Sequence, residues 1–287
     1  MDAAPVSAVL PTWNRLDILP TTLAQLHECE PPPAEVIVHV DAGDEETAPW
    51  LREHWPDVKV LVSKNRHGPG GGRNKLMEEA SQPYVASFDD DSYPLDTDYF
   101  ERLLDAFGRH PKAGLLSSVV VHRGEETPPP IADSHPVINF MGCGCAYRME
   151  AWDQTDGYLP RPVPYGIEEI DVGLQLLDCG WKIMKDKRLR IMHDTDLTHH
   201  DDPFKTAGTI VNRALLAYIR YPAPYLWLGV AQYVSRILWC LRAGRTEGIW
   251  DGIRQTPAIL REYWNRRDPV SPSTLRHARQ LMAAASS

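Results

Sequence analysis

The sequence is poor in cysteine and contains no long uninterrupted apolar segment. Its 5 cysteines among 287 residues are odd in number and scattered, and no two pairs have the spacing of a zinc site. We therefore expect buried, reduced thiols rather than disulfides or structural zinc. The aromatic-rich span between Arg220 and Arg236 has fifteen residues and two prolines, which makes it too short to cross a bilayer.

The N-terminus has no basic-then-apolar leader, because residues 1–5 run directly into a strand-like segment. This absence argues against secretion and favours a cytoplasmic location. A recognisable nucleic-acid-binding motif is also missing, and most of the chain is acidic, so we expect no nucleic acid partner.

Charge is divided unevenly between the two parts of the chain. Residues 1–204 hold 18 Lys and Arg against 35 Asp and Glu, a balance of −17, whereas residues 205–287 hold 12 against 4, a balance of +8. The basic, aromatic-rich end suits an anionic surface such as phospholipid headgroups. We predict a catalytic domain over 1–203 and a helical extension over 204–287, with peripheral contact to the inner face of the membrane. A homodimer would use the same aromatic surface.

Strand and helix patterns alternate along the first ninety residues. The β-prone segments are 6–10, 35–40, 58–62 and 84–88. This alternation predicts an α/β fold whose mostly parallel sheet has helices on both faces. In such sheets ligands bind beyond the carboxyl ends of the strands, where Asn14, Asp41 and Asp89 fall.

Three consecutive carboxylates, Asp89, Asp90 and Asp91, follow the fourth of these strands. Adjacent carboxylates repel one another unless water or a cation neutralises them, and hard oxygen ligands suit Mg²⁺ or Mn²⁺. The alternative is an acidic loop that caps the next helix.

A glycine-rich stretch, 67–74, predicts a loop over 65–74 before a helix that begins at Lys75. A dinucleotide-binding loop fits poorly, because Arg73 stands at the position of its third glycine and the preceding strand ends too early. A Walker A loop lacks its lysine. The remaining interpretation is a set of backbone donors with Arg73, suited to anionic oxygens, or a simple turn.

A second acidic motif contains Glu168 and Glu169 in the first turn of a predicted helix that runs to Cys179. The helix dipole favours carboxylates there, and a carboxylate at a rigid helix start could also deprotonate a hydroxyl. His193 ends a predicted strand over 189–192, and we prefer it as a metal ligand over the neighbouring His199 and His200. Residues 123–136 predict a loop, and residues 139–148 a strand of small residues that lets substrate approach the backbone.

Taken together, these motifs resemble the inverting family 2 glycosyltransferases with the nucleotide-sugar (GT-A) fold. They occur in the order Pro11-Thr12-x-Asn14-Arg15, Asp41-Ala42-Gly43, Gly72-Arg73-Asn74, Asp89-Asp90-Asp91 and Glu168-Glu169-x-Asp171. The sequence departs from the family pattern at Asp44 and Glu46, and Glu169 replaces the usual Asp. The C-terminal part is loosely similar to bacterial glycan and lipid-linked sugar transferases, including rhamnosyltransferase-like members of polysaccharide biosynthesis.

The resemblance implies a nucleoside-diphosphate-sugar donor and an acceptor hydroxyl on a glycan, a lipid-linked sugar or a small molecule. It implies Mn²⁺ or Mg²⁺ held by Asp91, with Asp89 and His193. The first motif, the Gly72-Arg73-Asn74 loop, Asp41, Asp89 and Asp90 would contact the nucleotide sugar. Glu169, or Glu168 in its place, would take the acceptor proton during a single inverting displacement.

Two other functions are compatible with the same residues. A sugar nucleotidyltransferase also needs metal and glycines, but its glycine-rich loop normally follows the first strand, where this chain has Pro11 and Thr12. A non-catalytic nucleotide-sugar-binding or membrane-docking module is disfavoured by the presence of both carboxylate clusters.

Overall fold

The computed structural model describes residues 2–159, 161, 167–195 and 203–284. The first half comprises β1 (Ala4–Thr12), α1 (Leu19–His27), β2 (Pro33–Val40), α2 (Thr47–His54), β3 (Lys59–Val62), α3 (Gly68–Glu79), β4 (Tyr84–Ser87), β5 (Ser92–Pro94), α4 (Tyr99–Arg109) and β6 (Ala113–His122). The second half comprises β7 (Ser134–Val137), β8 (Cys145–Arg148), α5 (Met149–Trp152), α6 (Glu168–Asp178), β9 (Lys182–His193), α7 (Pro203–Arg220), α8 (Leu226–Arg242), α9 (Ile249–Glu262) and α10 (Pro272–Ala284).

The described strands form one sheet in the order β3-β2-β1-β4-β8-β6-β9-β5, with β7 also paired to β9. The four strands of the first ninety residues are parallel, as predicted. Beyond β4 the sheet is mixed, because β8 pairs antiparallel with both β4 and β6, and β5 and β7 pair antiparallel with β9. The fold is therefore α/β with a mixed rather than mostly parallel sheet.

Several predicted boundaries were wrong. The glycine-rich stretch is not a loop, because α3 begins at Gly68 and contains Gly72, Arg73 and Asn74. Pro11 and Thr12 are the last residues of β1 rather than loop residues. The predicted 123–136 loop ends in β7, and the predicted small-residue strand begins with a 3₁₀ turn over Gly142–Gly144.

Apolar clusters pack on the two faces of the sheet, and a third joins the C-terminal helices to the preceding part of the chain. This third cluster contains Leu174 of α6 and Ile138 together with Leu215 and Leu216 of α7. The division at residue 203 stays a prediction, but α7 shares a core with the residues before it.

A buried ion pair strengthens the same junction. Nε of Arg220 in α7 donates to Oδ1 of Asp171 in α6 at 2.6 Å, and both residues are buried. Burial raises the pKa of Asp171, and the Arg220 charge opposes that shift. Asp171 of the second acidic motif is thus held by a residue 49 positions away.

All five cysteines are free. Four are buried as predicted, but Cys179 is exposed. Among the described residues, no helix has both the length and the apolar character that a membrane span requires.

Candidate active site

The carboxyl ends of β1, β4 and β9 converge on the acidic triplet. β1 pairs directly with β4, and Ser92 of β5 lies opposite His193 at the end of β9. The turn Asp89–Ser92 is closed by its own hydrogen bonds, because the Asp89 N–H donates to Oγ of Ser92 at 2.7 Å. The predicted first loop, triplet and histidine therefore lie together.

Asp90 points into the protein. Its Oδ2 accepts a 2.8 Å hydrogen bond from Oγ1 of Thr12, and its carbonyl oxygen accepts another at 2.7 Å from Thr22 of α1. Burial and the neighbouring Asp91 charge raise the pKa of Asp90 to about 7, although Arg15 opposes the shift. Asp90 therefore anchors β1 through its carboxyl and α1 through its carbonyl oxygen.

Asp91 lies between two basic side chains. Nη2 of Arg15 approaches its Oδ2 at 3.2 Å, and Nε2 of His193 approaches its Oδ1 at 3.2 Å. Burial would raise the pKa of Asp91, but the contacts with His193 and Arg15 lower it, so the group is ionised. Burial disfavours a charged His193, yet its hydrogen bond to Asp91 raises the pKa of the imidazole overall.

A group of potential metal ligands occupies the same place. Among the described residues, one donor atom each from Asp89, Cys143 and His193 lies within 4.8 Å of the others. Burial raises the pKa of the Cys143 thiol well above its ordinary value, so a hard cation would rely on the carboxylates and the imidazole. The carboxylate and imidazole donors, with Asp91 beside His193, fit a divalent metal ion.

Arg73 connects this cluster to the second acidic motif. Its guanidinium pairs with Asp89, and its Nε donates to Oγ of Ser87 at 2.9 Å. A Cβ on Gly142 would lie 2.9 Å from Cζ of Arg73, so a larger residue there would displace this buried guanidinium. The Arg73 charge also acts on Glu169, whose pKa it lowers.

Glu169 has the strongly perturbed carboxyl that a general base requires. Burial, followed by the charge of Glu168, raises its pKa to about 7, while Arg73 and a hydrogen bond from the Gly142 backbone oppose the shift. Both glutamates lie in the first turn of α6, as predicted. Glu168 accepts a hydrogen bond from the Ile167 N–H at 3.1 Å, which helps to close the helix start.

Asp41 and Asp44 cap helices. The carboxylate of Asp41 accepts hydrogen bonds from the N–H groups of His67 and Gly68, both at 2.9 Å to the nearer oxygen. Asp44 accepts from the N–H groups of Asn14 at 2.7 Å and Thr47 at 3.0 Å. Asn14 has a left-handed backbone with φ 54°, and its bond to Asp44 fixes that turn. These contacts tie the ends of β1 and β2 to the starts of α2 and α3.

Gly72 and Asn74 have packing roles in this structure. A Cβ on Gly72 would lie 2.7 Å from Nδ1 of His39 and 3.3 Å from Pro11, so α3 lies directly on β1 and β2. The Asn74 side chain donates to the carbonyl oxygen of Tyr158 at 2.8 Å and accepts from its N–H at 2.9 Å. Asn74 therefore holds the segment that leads toward α6.

An exposed aromatic surface that was not predicted from the sequence lies at the end of β1. Trp13 is 40% exposed, and the guanidinium of Arg66 stacks over its ring at 3.9 Å. A tryptophan directly after a predicted buried strand is the feature of the sequence that could have indicated this surface. His199 and His200, the alternatives to His193, lie outside the described residues.

A family model described as glycosyl transferase family 2 matches residues 7–160. That range contains the first motif, the triplet and Arg73, and it ends before Glu168. No curated protein sequence matches the chain.

Two solved structures show the same fold. A crystal structure of GalNAc-T7 with UDP, GalNAc and Mn²⁺ superposes with a TM-score of 0.59 at 14% identity, covering 75% of this chain and 48% of that one. S. aureus TarS 1-349 in complex with UDP-GlcNAc superposes with a TM-score of 0.61 at 17% identity, covering 80% of this chain and 72% of that one. The chain thus spans about half the length of the GalNAc-T7 structure.

Proposed function

The chain belongs to glycosyl transferase family 2, and from that membership we propose that it is a metal-dependent inverting glycosyltransferase. It would transfer a sugar from a nucleoside-diphosphate sugar to an acceptor hydroxyl. The observation that carries the proposal is the arrangement of Arg73 between two carboxylates of different character. Asp89 belongs to the candidate metal cluster, and Glu169 has a pKa raised to about 7.

The donor diphosphate would lie beside Asp89, Asp91 and His193. These residues would hold Mn²⁺ or Mg²⁺, which acts as a Lewis acid that offsets the charge of the departing diphosphate. Arg15 already contacts Asp91 from a partly exposed position, so its guanidinium can face phosphate oxygens as well. The complexes of GalNAc-T7 with UDP and Mn²⁺ and of TarS with UDP-GlcNAc support this class of donor.

The nucleoside would lie at the ends of β1 and β2. Trp13 and Arg66 offer an exposed stacking surface there, next to the Asp41 turn. The capping bonds of Asp41 position that turn and leave its carboxylate less available than the sequence predicts. We therefore assign recognition of the nucleobase to the Trp13 surface together with the backbone of residues 41–43.

Glu169 would take the proton of the acceptor hydroxyl while that oxygen attacks the anomeric carbon. A carboxyl with a pKa of about 7 is ionised in half of the molecules at neutral pH and is a stronger base than an ordinary glutamate. One displacement from the face opposite the diphosphate inverts the anomeric configuration. The charge of Glu168 raises the basicity of its neighbour, so the two glutamates have different roles.

A thermal-shift panel of UDP-, GDP-, CDP- and dTDP-sugars with Mn²⁺, Mg²⁺ or EDTA tests the proposal. A ligand that binds the folded state raises the melting temperature by mass action. We expect one nucleotide class to stabilise the protein in a metal-dependent way. Asp91→Asn should lose this metal-dependent shift, and Glu169→Gln should retain it.

The matched control for Asp91→Asn is Asp57→Asn, a substitution of an exposed aspartate far from the triplet in sequence. Absence of a shift with every donor would contradict the proposal and favour a docking module. If the wild type and Glu169→Gln bind the donor equally well and neither releases nucleotide, the result would favour the non-catalytic sugar-binding module.

A further inference from the structure

Helix α8 carries a continuous apolar stripe on its solvent face. The stripe consists of Trp227, Val230, Val234, Leu238 and Leu241, and these side chains are between 46% and 65% exposed. Their spacings of three and four residues place them along one side of the helix. With a rise of about 1.5 Å per residue, the stripe is about 21 Å long.

The opposite face of α8 is buried against α7. A Cβ on Gly229 would lie 2.2 Å from Cβ of Ala217, so the two helices are in close contact at this glycine. Leu228 and Cys240 are buried on the same side. The helix is therefore apolar on both faces, which is typical of a helix with a partner on each side.

The segment that carries the stripe is basic in sequence. Residues 203–246 contain no Asp or Glu and six cations, of which Arg220 is paired with Asp171. Arg242 is exposed directly after Leu241. The cluster of Arg236, Arg245 and Trp239 lies toward α7 instead, because Arg236 donates to Oγ1 of Thr209. An indole ring within an apolar helix face, with an arginine beside it, is typical of helices that lie in a membrane interface.

We propose that the α8 stripe docks on a membrane surface that contains anionic phospholipids. The helix would lie in the plane of the interface, with the stripe among the acyl chains and Arg242 at the headgroups. Residues 1–204, with a balance of −17, would be repelled by the same surface and face the aqueous side. This proposal does not depend on the proposed transferase activity.

A second copy of the chain is the competing occupant. A two-fold symmetric interface brings the same surface of each copy together. The basic segment 203–246 would then face its own copy and be repelled, whereas anionic headgroups neutralise it. Charge complementarity therefore favours the lipid surface.

Cosedimentation with vesicles tests the proposal. One set contains phosphatidylcholine alone, and the other contains phosphatidylcholine mixed with the anionic lipid phosphatidylglycerol. We expect the full chain to bind the anionic vesicles and to be released by high salt. Val234→Asp should lower the partition coefficient at least about tenfold, and Arg242→Glu at least about fivefold, since each arginine at the surface contributes about that factor.

The matched control is Val62→Asp, because Val62 of β3 is an exposed valine in another part of the fold. It should bind as the wild type does. Trp227→Gln provides a second stripe variant if Val234→Asp fails to fold, as judged by its thermal melt. Equal binding to both vesicle types, or wild-type binding by the stripe variants, would overturn the proposal. A dimer in light scattering that Val234→Asp converts to a monomer would overturn it in favour of a second copy.

Discussion

Lowering the pH from 8 to 6 should reduce kcat/KM about tenfold if Glu169 is the general base. With a pKa of about 7, the carboxyl is ionised in about nine tenths of the molecules at pH 8 and in about one tenth at pH 6. The base acts in its ionised form, so activity rises with pH through this range. The assay is release of nucleoside diphosphate from the donor that the binding panel identifies, at subsaturating donor concentration.

Glu168→Gln assigns this pH dependence to a residue. The Glu168 charge raises the pKa of Glu169, whereas Asp90, which also has a pKa of about 7, owes its shift to burial and to the other triplet carboxylates. Removing the Glu168 charge should lower the pKa of Glu169 and move the acidic limb of the pH–rate profile to lower pH. A move of about one unit, equivalent to about 1.4 kcal/mol of repulsion, would raise the ratio of the pH 6 rate to the pH 8 rate about fivefold, from about 0.1 in the wild type to about 0.5 in the variant.

The control is Glu101→Gln, which alters an exposed glutamate in the first turn of α4. Its acidic limb should coincide with that of the wild type. A wild-type rate that is constant between pH 6 and 8 would show that Glu169 is not the titrating base. An acidic limb of the pH–rate profile that Glu168→Gln leaves unmoved would show the same.

Three further predictions concern stability and donor binding. Because the pKa of Glu169 is raised in the folded state, the protein loses stability as this carboxyl ionises with rising pH. At pH 8 the free energy of unfolding of Glu169→Gln in denaturant should therefore exceed that of the wild type by up to about 3 kcal/mol, with no difference at pH 4. A variant less stable than the wild type at pH 8 would contradict this prediction. Gly142→Ala should push the guanidinium of Arg73 away from Asp89. Calorimetric titration should then show metal-dependent donor binding weakened at least about tenfold, an effect of about 1.4 kcal/mol. Unchanged affinity would show that donor binding does not need the contact between Arg73 and Asp89. Asp171→Asn should remove the buried charge partner of Arg220, which keeps its ion pairs with the exposed side chains of Asp268 and Asp156. The free energy of unfolding in urea should fall by about 1–3 kcal/mol, and no measurable loss would mean that the remaining pairs suffice.

The local parts of the site were predictable from sequence. The triplet follows a strand, and Glu168 and Glu169 begin a helix, because both features depend on short-range pattern. His193 was preferred as a metal ligand because it ends a predicted strand, and in the structure it lies beside Asp91.

The errors arose where distant residues override local preference. Glycine disfavours helix interiors, so the start of α3 was placed too late. In the structure Asp41 caps that helix from another strand, and Gly72 allows the helix to lie against His39. The pairing of β7 with β9 likewise depends on partners about fifty residues apart.

The contacts of Arg73 and Arg220 could not be read from spacing at all. Arg73 reaches Asp89 across 16 positions, and Arg220 reaches Asp171 across 49. Such long-range ion pairs become visible only when the fold brings their elements together. They explain why the carboxylates of the second acidic motif, which look alike in sequence, have different environments.

Nucleoside diphosphate release by Glu169→Gln at saturating donor and Mn²⁺ decides whether Glu169 is the general base. This variant should bind the donor as the wild type does and release nucleoside diphosphate at least about a hundredfold more slowly, because a general base contributes a factor of this order or more. Release at the wild-type rate would contradict the assignment of Glu169 as the base.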